Sequence, residues 1–178
     1  MQRRGAAATP GRGAALEGCR RCCCAPPKII IGHISDGIEL AKKHRLPDIV
    51  IDFIRTHHGT SRVEYFYRKF KEDHPDSEKF DSFQYPGPKP FSKETAIVMM
   101  SDAVEASTRS LPEKSQEALS SMIDTVIDHQ LTTGQLDNAD ITLKEINAIR
   151  EAFKKFMRGV YHVRISYPEE VKTVQSAS

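Results

Sequence analysis

The chain has no tryptophan, and its eight phenylalanines and five tyrosines bring the aromatic share to only 7%. No run of about 18 apolar residues occurs, so no segment reads as a membrane-spanning helix. The net charge of +2 at pH 7 is too small to argue for a nucleic-acid polymer as partner. Cysteine is missing from the body of the chain. All four residues sit in "CRRCCC", at Cys19, Cys22, Cys23 and Cys24. The remainder therefore needs no disulfide and fits a reducing compartment such as the cytoplasm. Cys19 and Cys22 have the spacing of half a zinc knuckle, but no second ligand pair follows in the tail, which leaves a disordered segment as the reading. The arginines near the start lack the continuous apolar stretch of a signal peptide. Apolar and polar residues do not alternate convincingly anywhere, so strands are not expected.

What is present divides the chain in three. Residues 1–26 hold five Arg against one Glu and are rich in Ala and Gly, whereas the rest holds 21 basic and 23 acidic residues. Residues 1–27 are expected to be a disordered or foreign leader and residues 169–178 a disordered tail. Between them the texture is helical. Ile30, Ile34, Ile38 and Ala41 share one helix face, and Pro47 breaks that helix. Ile49, Val50, Phe53, Ile54 and His57 repeat at three and four, with Gly59 placed to end the helix in a left-handed cap. Residues 61–75 read as a short amphipathic helix and 81–92, with three prolines and a glycine, as a loop. A helix over about 92–110 carries Ile97, Met100 and Val104 on one side, with Leu111 just past its end. Another over about 113–132 buries Leu119, Met122, Ile123, Val126 and Ile127. Thr142 and Glu145 form a capping box ahead of a last helix with Leu143, Ile146, Ile149, Phe153, Phe156 and Val160 inside. The fold class is all-α, with five or six helices.

Three of the seven histidines, His33, His57 and His58, fall beside apolar faces where a helical protein keeps its core. Such imidazoles are hydrogen-bonded core residues or ligands, since neutral imidazole is the commonest protein ligand for transition metals. The pattern alone leaves both readings open. Asp102 stands in an apolar stripe and needs a partner, which a metal or an arginine would provide. Glu105 and Arg109 are four apart and positioned to pair. The stiff loop "YPGPKP" bears Tyr85 and Lys89, with Lys93 just beyond, and reads either as a phosphate-binding loop or as a solvated turn.

The segments "GHISDGIELAKKHRLPDIVIDFIRTHHGTSRVEYFYRKF", "FQYPGPKPFSKETAIVMMSDAVEASTRSL", "GQLDNADITLKEI" and "YHVRISYP", in this order, closely resemble the cytoplasmic HD domain of the seven-transmembrane HD family. Those proteins are bacterial cyclic di-AMP phosphodiesterases, and the resemblance runs over residues 28–168. It implies an all-α HD-domain helical bundle, incomplete at its N-terminus. It also implies two divalent transition-metal ions, iron or manganese, in the intact domain and a cyclic dinucleotide as substrate. Carried over residue by residue, the metal ligands are His33, His57, His58 and Asp102, and no catalytic residue separate from them is implied. Tyr85, Lys89 and Lys93 are the expected substrate contacts.

The departure from the family lies upstream of His33. There is no His-Asp dipeptide in the chain, so two histidines and the aspartate that bridges the metals have no counterpart. The expectation is a truncated domain joined to unrelated sequence, holding at most one ion, with weak or no activity and a tendency to self-associate through exposed core. Two other readings stay open: an HD hydrolase of another nucleotide such as guanosine tetraphosphate, and a non-catalytic nucleotide-binding regulatory domain.

Overall fold

The computed structural model describes residues 27–77 and 81–161, so all of the expected leader except its last residue, the tail and the "HVRISYP" segment lie outside the described residues. Six helices follow in order: α1 Pro27–Lys43, α2 Asp48–Thr56, α3 Glu64–Asp73, α4 Lys93–Arg109, α5 Gln116–Thr132 and α6 Leu143–Val160. A 3₁₀ turn, Asp81–Phe83, stands between α3 and α4 inside the stretch expected to be irregular. The only pairing of strand type among the described residues is an isolated bridge between Arg62 and Gln84. The all-α expectation holds. No helix among the described residues is long and apolar enough to cross a membrane.

Local chemistry explains the boundaries. Lys42 and Lys43 close α1 against the negative end of its helix dipole. Ser92 and Thr95 cap α4 reciprocally, and Ser115 caps α5 through the N–H of Ala118. The Thr142–Glu145 capping box forms as expected.

The core is built where α4, α5 and α6 meet, from Ala96, Met99, Met100, Val104, Ile123, Ile127, Leu136, Ile146 and Met157. Two parts of the expected core are corrected. On α4, Ile97 is exposed, and the buried line runs instead through Thr95, Ala96, Met99, Met100, Val104 and Thr108. The buried Thr108 hydroxyl satisfies itself on the Val104 carbonyl at 2.7 Å. On α6, Leu143, Phe156 and Val160 face outward, because Ile146, Ile149, Phe153 and Met157 already supply the inward stripe.

A second cluster holds the front of the domain. Helix α1 packs on α2 and on the 3₁₀ turn, and α2 packs on α4. Ile34, Ala41, Phe83 and Tyr85 are buried there. This arrangement brings the face of α1 that carries His33, the end of α2 and the middle of α4 to one place.

Candidate metal centre

Helix α2 ends at Thr56, and the next four residues form a tight turn that carries both histidines. His57 keeps helical dihedrals, and its backbone N–H still donates to the Phe53 carbonyl. Gly59 then turns the chain with φ of +52°, the left-handed cap expected for it. Space is as demanding as φ. A Cβ at Gly59 would stand 2.6 Å from Gln135 Oε1 and 3.3 Å from Met99 Cε.

His33 reaches the same place from α1. The ligand-type nitrogens of His33, His57 and His58 all lie within 4.8 Å of one another. Of the two readings the pattern left open, fully buried core residues do not describe these rings: His33 is exposed and His57 and His58 are half-buried, because the cluster forms at the rim between α1, α2 and α4.

The hydrogen bonds set the tautomers of two rings. His33 Nδ1 contacts the Ile30 carbonyl, and His57 Nδ1 contacts the Ile54 carbonyl at 2.7 Å. A carbonyl only accepts, so each Nδ1 carries the proton, and the neutral form of each ring presents Nε2 as a lone pair. Those two Nε2 atoms face each other at 3.2 Å. Two lone pairs so placed repel unless a cation or a proton stands with them. The Nδ1-to-carbonyl contact is the outer support found behind metal-bound imidazoles.

His58 is different. Its Nδ1 lies 3.5 Å from Asp102 Oδ2, too long for a good hydrogen bond. Burial, and then the neighbouring His57 and His58's other neighbour His33, hold its pKa down to about 3, so the ring is neutral at ordinary pH. Burial also raises the Asp102 carboxyl above its ordinary value, against the opposing pull of His57. Arginine, one of the two partners open to Asp102 in the sequence, is taken elsewhere: Arg109 pairs with Glu105 at 3.2 Å, as its spacing suggests.

Tyr85 stacks on His58 with centroids 4.2 Å apart and planes 24° apart. The two lysines point elsewhere. Lys89 Nζ lies 3.6 Å from Asp137, and Lys93 donates to Glu145 at 2.7 Å. The structure thus brings His33, His57, His58, Asp102 and Tyr85 together and ties both lysines to carboxylates of the α5–α6 side.

One contributor escapes sequence reasoning. Gln135, in the α5–α6 connection, reaches Thr60 across a separation of 75 residues. Nothing local in the sequence marks it, because its role exists only once α5 has brought that connection against the histidine turn.

No family model matches the chain. Among curated proteins it is 42% identical over 142 residues to the cyclic-di-AMP phosphodiesterase PgpH of Listeria monocytogenes serotype 1/2a (strain 10403S), covering 80% of this chain and 20% of that protein. It is 38% identical over 147 residues to the cyclic-di-AMP phosphodiesterase PgpH of Bacillus subtilis (strain 168), covering 83% and 20%. The chain thus spans about a fifth of the length of the curated relatives it matches. Its fold is similar to the crystal structure of the L. monocytogenes phosphodiesterase PgpH HD domain in complex with cyclic di-AMP. That match has a TM-score of 0.73 and 41% identity over 79% of this chain and 66% of that one. The same HD domain in a second crystal structure gives a TM-score of 0.71 at 39% identity, over 76% of this chain and 63% of that one.

Proposed function

The chain belongs, by sequence and by fold, to the HD-domain family of the PgpH proteins, and on that premise we propose that it binds a divalent transition metal and acts on cyclic di-AMP. The proposed ligands are His33, His57, His58 and Asp102. The observation that carries the metal site is the pair of Nε2 atoms facing each other at 3.2 Å, each with its Nδ1 proton engaged by a carbonyl. The donor set of imidazoles and one carboxylate suits iron or manganese. A bound ion of this kind polarises a phosphoryl oxygen and activates water for attack.

The chain's own residues prepare the place. His33 and His57 are oriented by their carbonyl partners, so no tautomer change precedes binding. Tyr85 covers one face of His58 and keeps water from it. Burial keeps His58 uncharged, and Asp102 brings the carboxylate beside it. Tyr85, Lys89 and Lys93 are the proposed substrate contacts, with phosphate competing for the two lysines against Asp137 and Glu145. The cytoplasm is the compartment this reading implies.

The sequence holds no His-Asp dipeptide, so the proposed site takes one ion, and hydrolysis by this chain is expected to be weak. Purified protein loaded with manganese and analysed for metal should hold about one ion per chain, and His57→Ala should lose it. Incubation with cyclic di-AMP, followed by chromatography, should show slow formation of the linear dinucleotide. Two ions per chain with rapid turnover would overturn the single-ion reading. Turnover of guanosine tetraphosphate in preference to cyclic di-AMP would overturn the substrate, and binding of cyclic di-AMP by metal-free protein would favour the regulatory reading.

A further inference from the structure

Thr60 lies two residues past His58, and both of its backbone polar groups are held by glutamine side chains from elsewhere. Its N–H donates to Gln135 Oε1 at 2.9 Å, and its hydroxyl lies 3.2 Å from both Oε1 and Nε2 of the same amide. Its carbonyl accepts from Gln84 Nε2 at 2.9 Å. Gln135 is only 5% exposed, and its own N–H donates to the Gln130 carbonyl at 2.9 Å. Its neighbour Leu136 is a member of the central core. The amide is therefore presented from a rigid base. Gly59, lacking a side chain, leaves the gap through which it reaches Thr60. Upstream, Gly59 N–H donates to the Thr56 carbonyl at the end of α2, and downstream Ser61 donates its N–H and its hydroxyl to the His58 carbonyl while its own carbonyl accepts from the Tyr85 N–H.

We propose that Gln135 is a positioning residue for the metal centre: by gripping Thr60 it fixes the turn that carries His57 and His58, and so sets their aim at His33. The inference rests on the metal-site reading above. It predicts that the acceptor at residue 135 matters, rather than its bulk. Gln135→Met keeps the volume and loses the acceptor, whereas Gln135→Glu keeps an acceptor for the Thr60 N–H and hydroxyl.

Titration of the purified full chain with cobalt(II), followed by visible absorption, separates the cases. Gln135→Met is expected to bind cobalt about 10–100-fold more weakly than wild type, the range for loss of an outer-shell support. Gln135→Glu should recover most of the loss. Ile123→Val, a cavity variant in the central core, should bind as wild type at a similar cost in stability. Hydrogen exchange at the Thr60 amide should quicken in Gln135→Met and not in Ile123→Val. Should Gln135→Met fail to fold, Gln84→Met at an exposed position loosens the same residue and should show a smaller loss in the same direction. Unchanged cobalt affinity in the Gln135 variants would overturn the positioning role while leaving the metal site standing, as would an equal loss in Ile123→Val. A wild-type chain that binds no cobalt would overturn both.

Discussion

At Gly59 one residue answers two demands at once. Its φ of +52° lies in the left-handed region, and its missing Cβ leaves the Gln135 amide within reach of Thr60. An alanine pays about 1–2 kcal/mol for that φ alone. The contact with Gln135 Oε1 at 2.6 Å adds displacement of a buried amide. Gly59→Ala is thus expected to lower the unfolding free energy measured in urea by at least that amount and to weaken cobalt binding together with it. Wild-type affinity in a destabilised Gly59→Ala would show that the turn tolerates movement, against the positioning argument. At this scale the proposed ligands could be picked out of the sequence and their supports could not. Paired imidazoles at a helix end and a carboxylate in an apolar stripe are patterns in the chain itself. The stacking of Tyr85 on His58 and the grip of Gln135 on Thr60 join segments brought together only by folding, so no spacing announces them.

Between elements, the start of α6 is tied to the start of α4. One Glu145 oxygen takes the Thr142 N–H at 2.8 Å, and the other takes Lys93 at 2.7 Å. The Lys93 hydrogen bond, with those from Thr142, holds the Glu145 pKa at about 2, below its ordinary 4.5. The carboxylate therefore contributes stability above the unfolded value, and that contribution is lost as pH falls through the folded one. The pair is solvent-exposed, so the effect is modest. Urea unfolding from pH 6 to pH 2 should show wild type ahead of Glu145→Gln at the upper end and the two converging toward about pH 2. Parallel profiles would remove the ion pair from the account. The capping box was readable because its spacing is local, and Lys93 was not readable as its partner because 52 residues separate them. The same limit explains the misplaced stripe on α4. Hydrophobicity finds Ile97, but the buried line of α4 includes Ala96 and two threonines, which carry little weight in an apolar count.

For the molecule as a whole, the apolar surface is unevenly spent. The α4–α5–α6 end has a buried core, while α1 leaves Ile29 and Leu40 at 68% and 57% exposure, eleven residues apart and so on nearly one line of the helix. His33 lies on that same line, and Ile49 at the start of α2 is 60% exposed. A cluster of imidazoles framed by uncovered aliphatic side chains is a surface that gains by being covered. We predict that the purified chain associates with itself through this face. Sedimentation velocity over a range of concentrations should show mass rising with concentration, and Leu40→Lys combined with Ile49→Lys should shift the chain toward monomer. Neither position packs in the core, so circular dichroism should be unchanged, and a helical content equal to wild type makes the comparison fair. Metal provides the last discrimination. Association that buries His33 would hinder cobalt, so the charged double variant should take up metal at least as readily as wild type. A chain that stays monomeric at every concentration, or a double variant that associates as before, would place the apolar contact elsewhere or remove it.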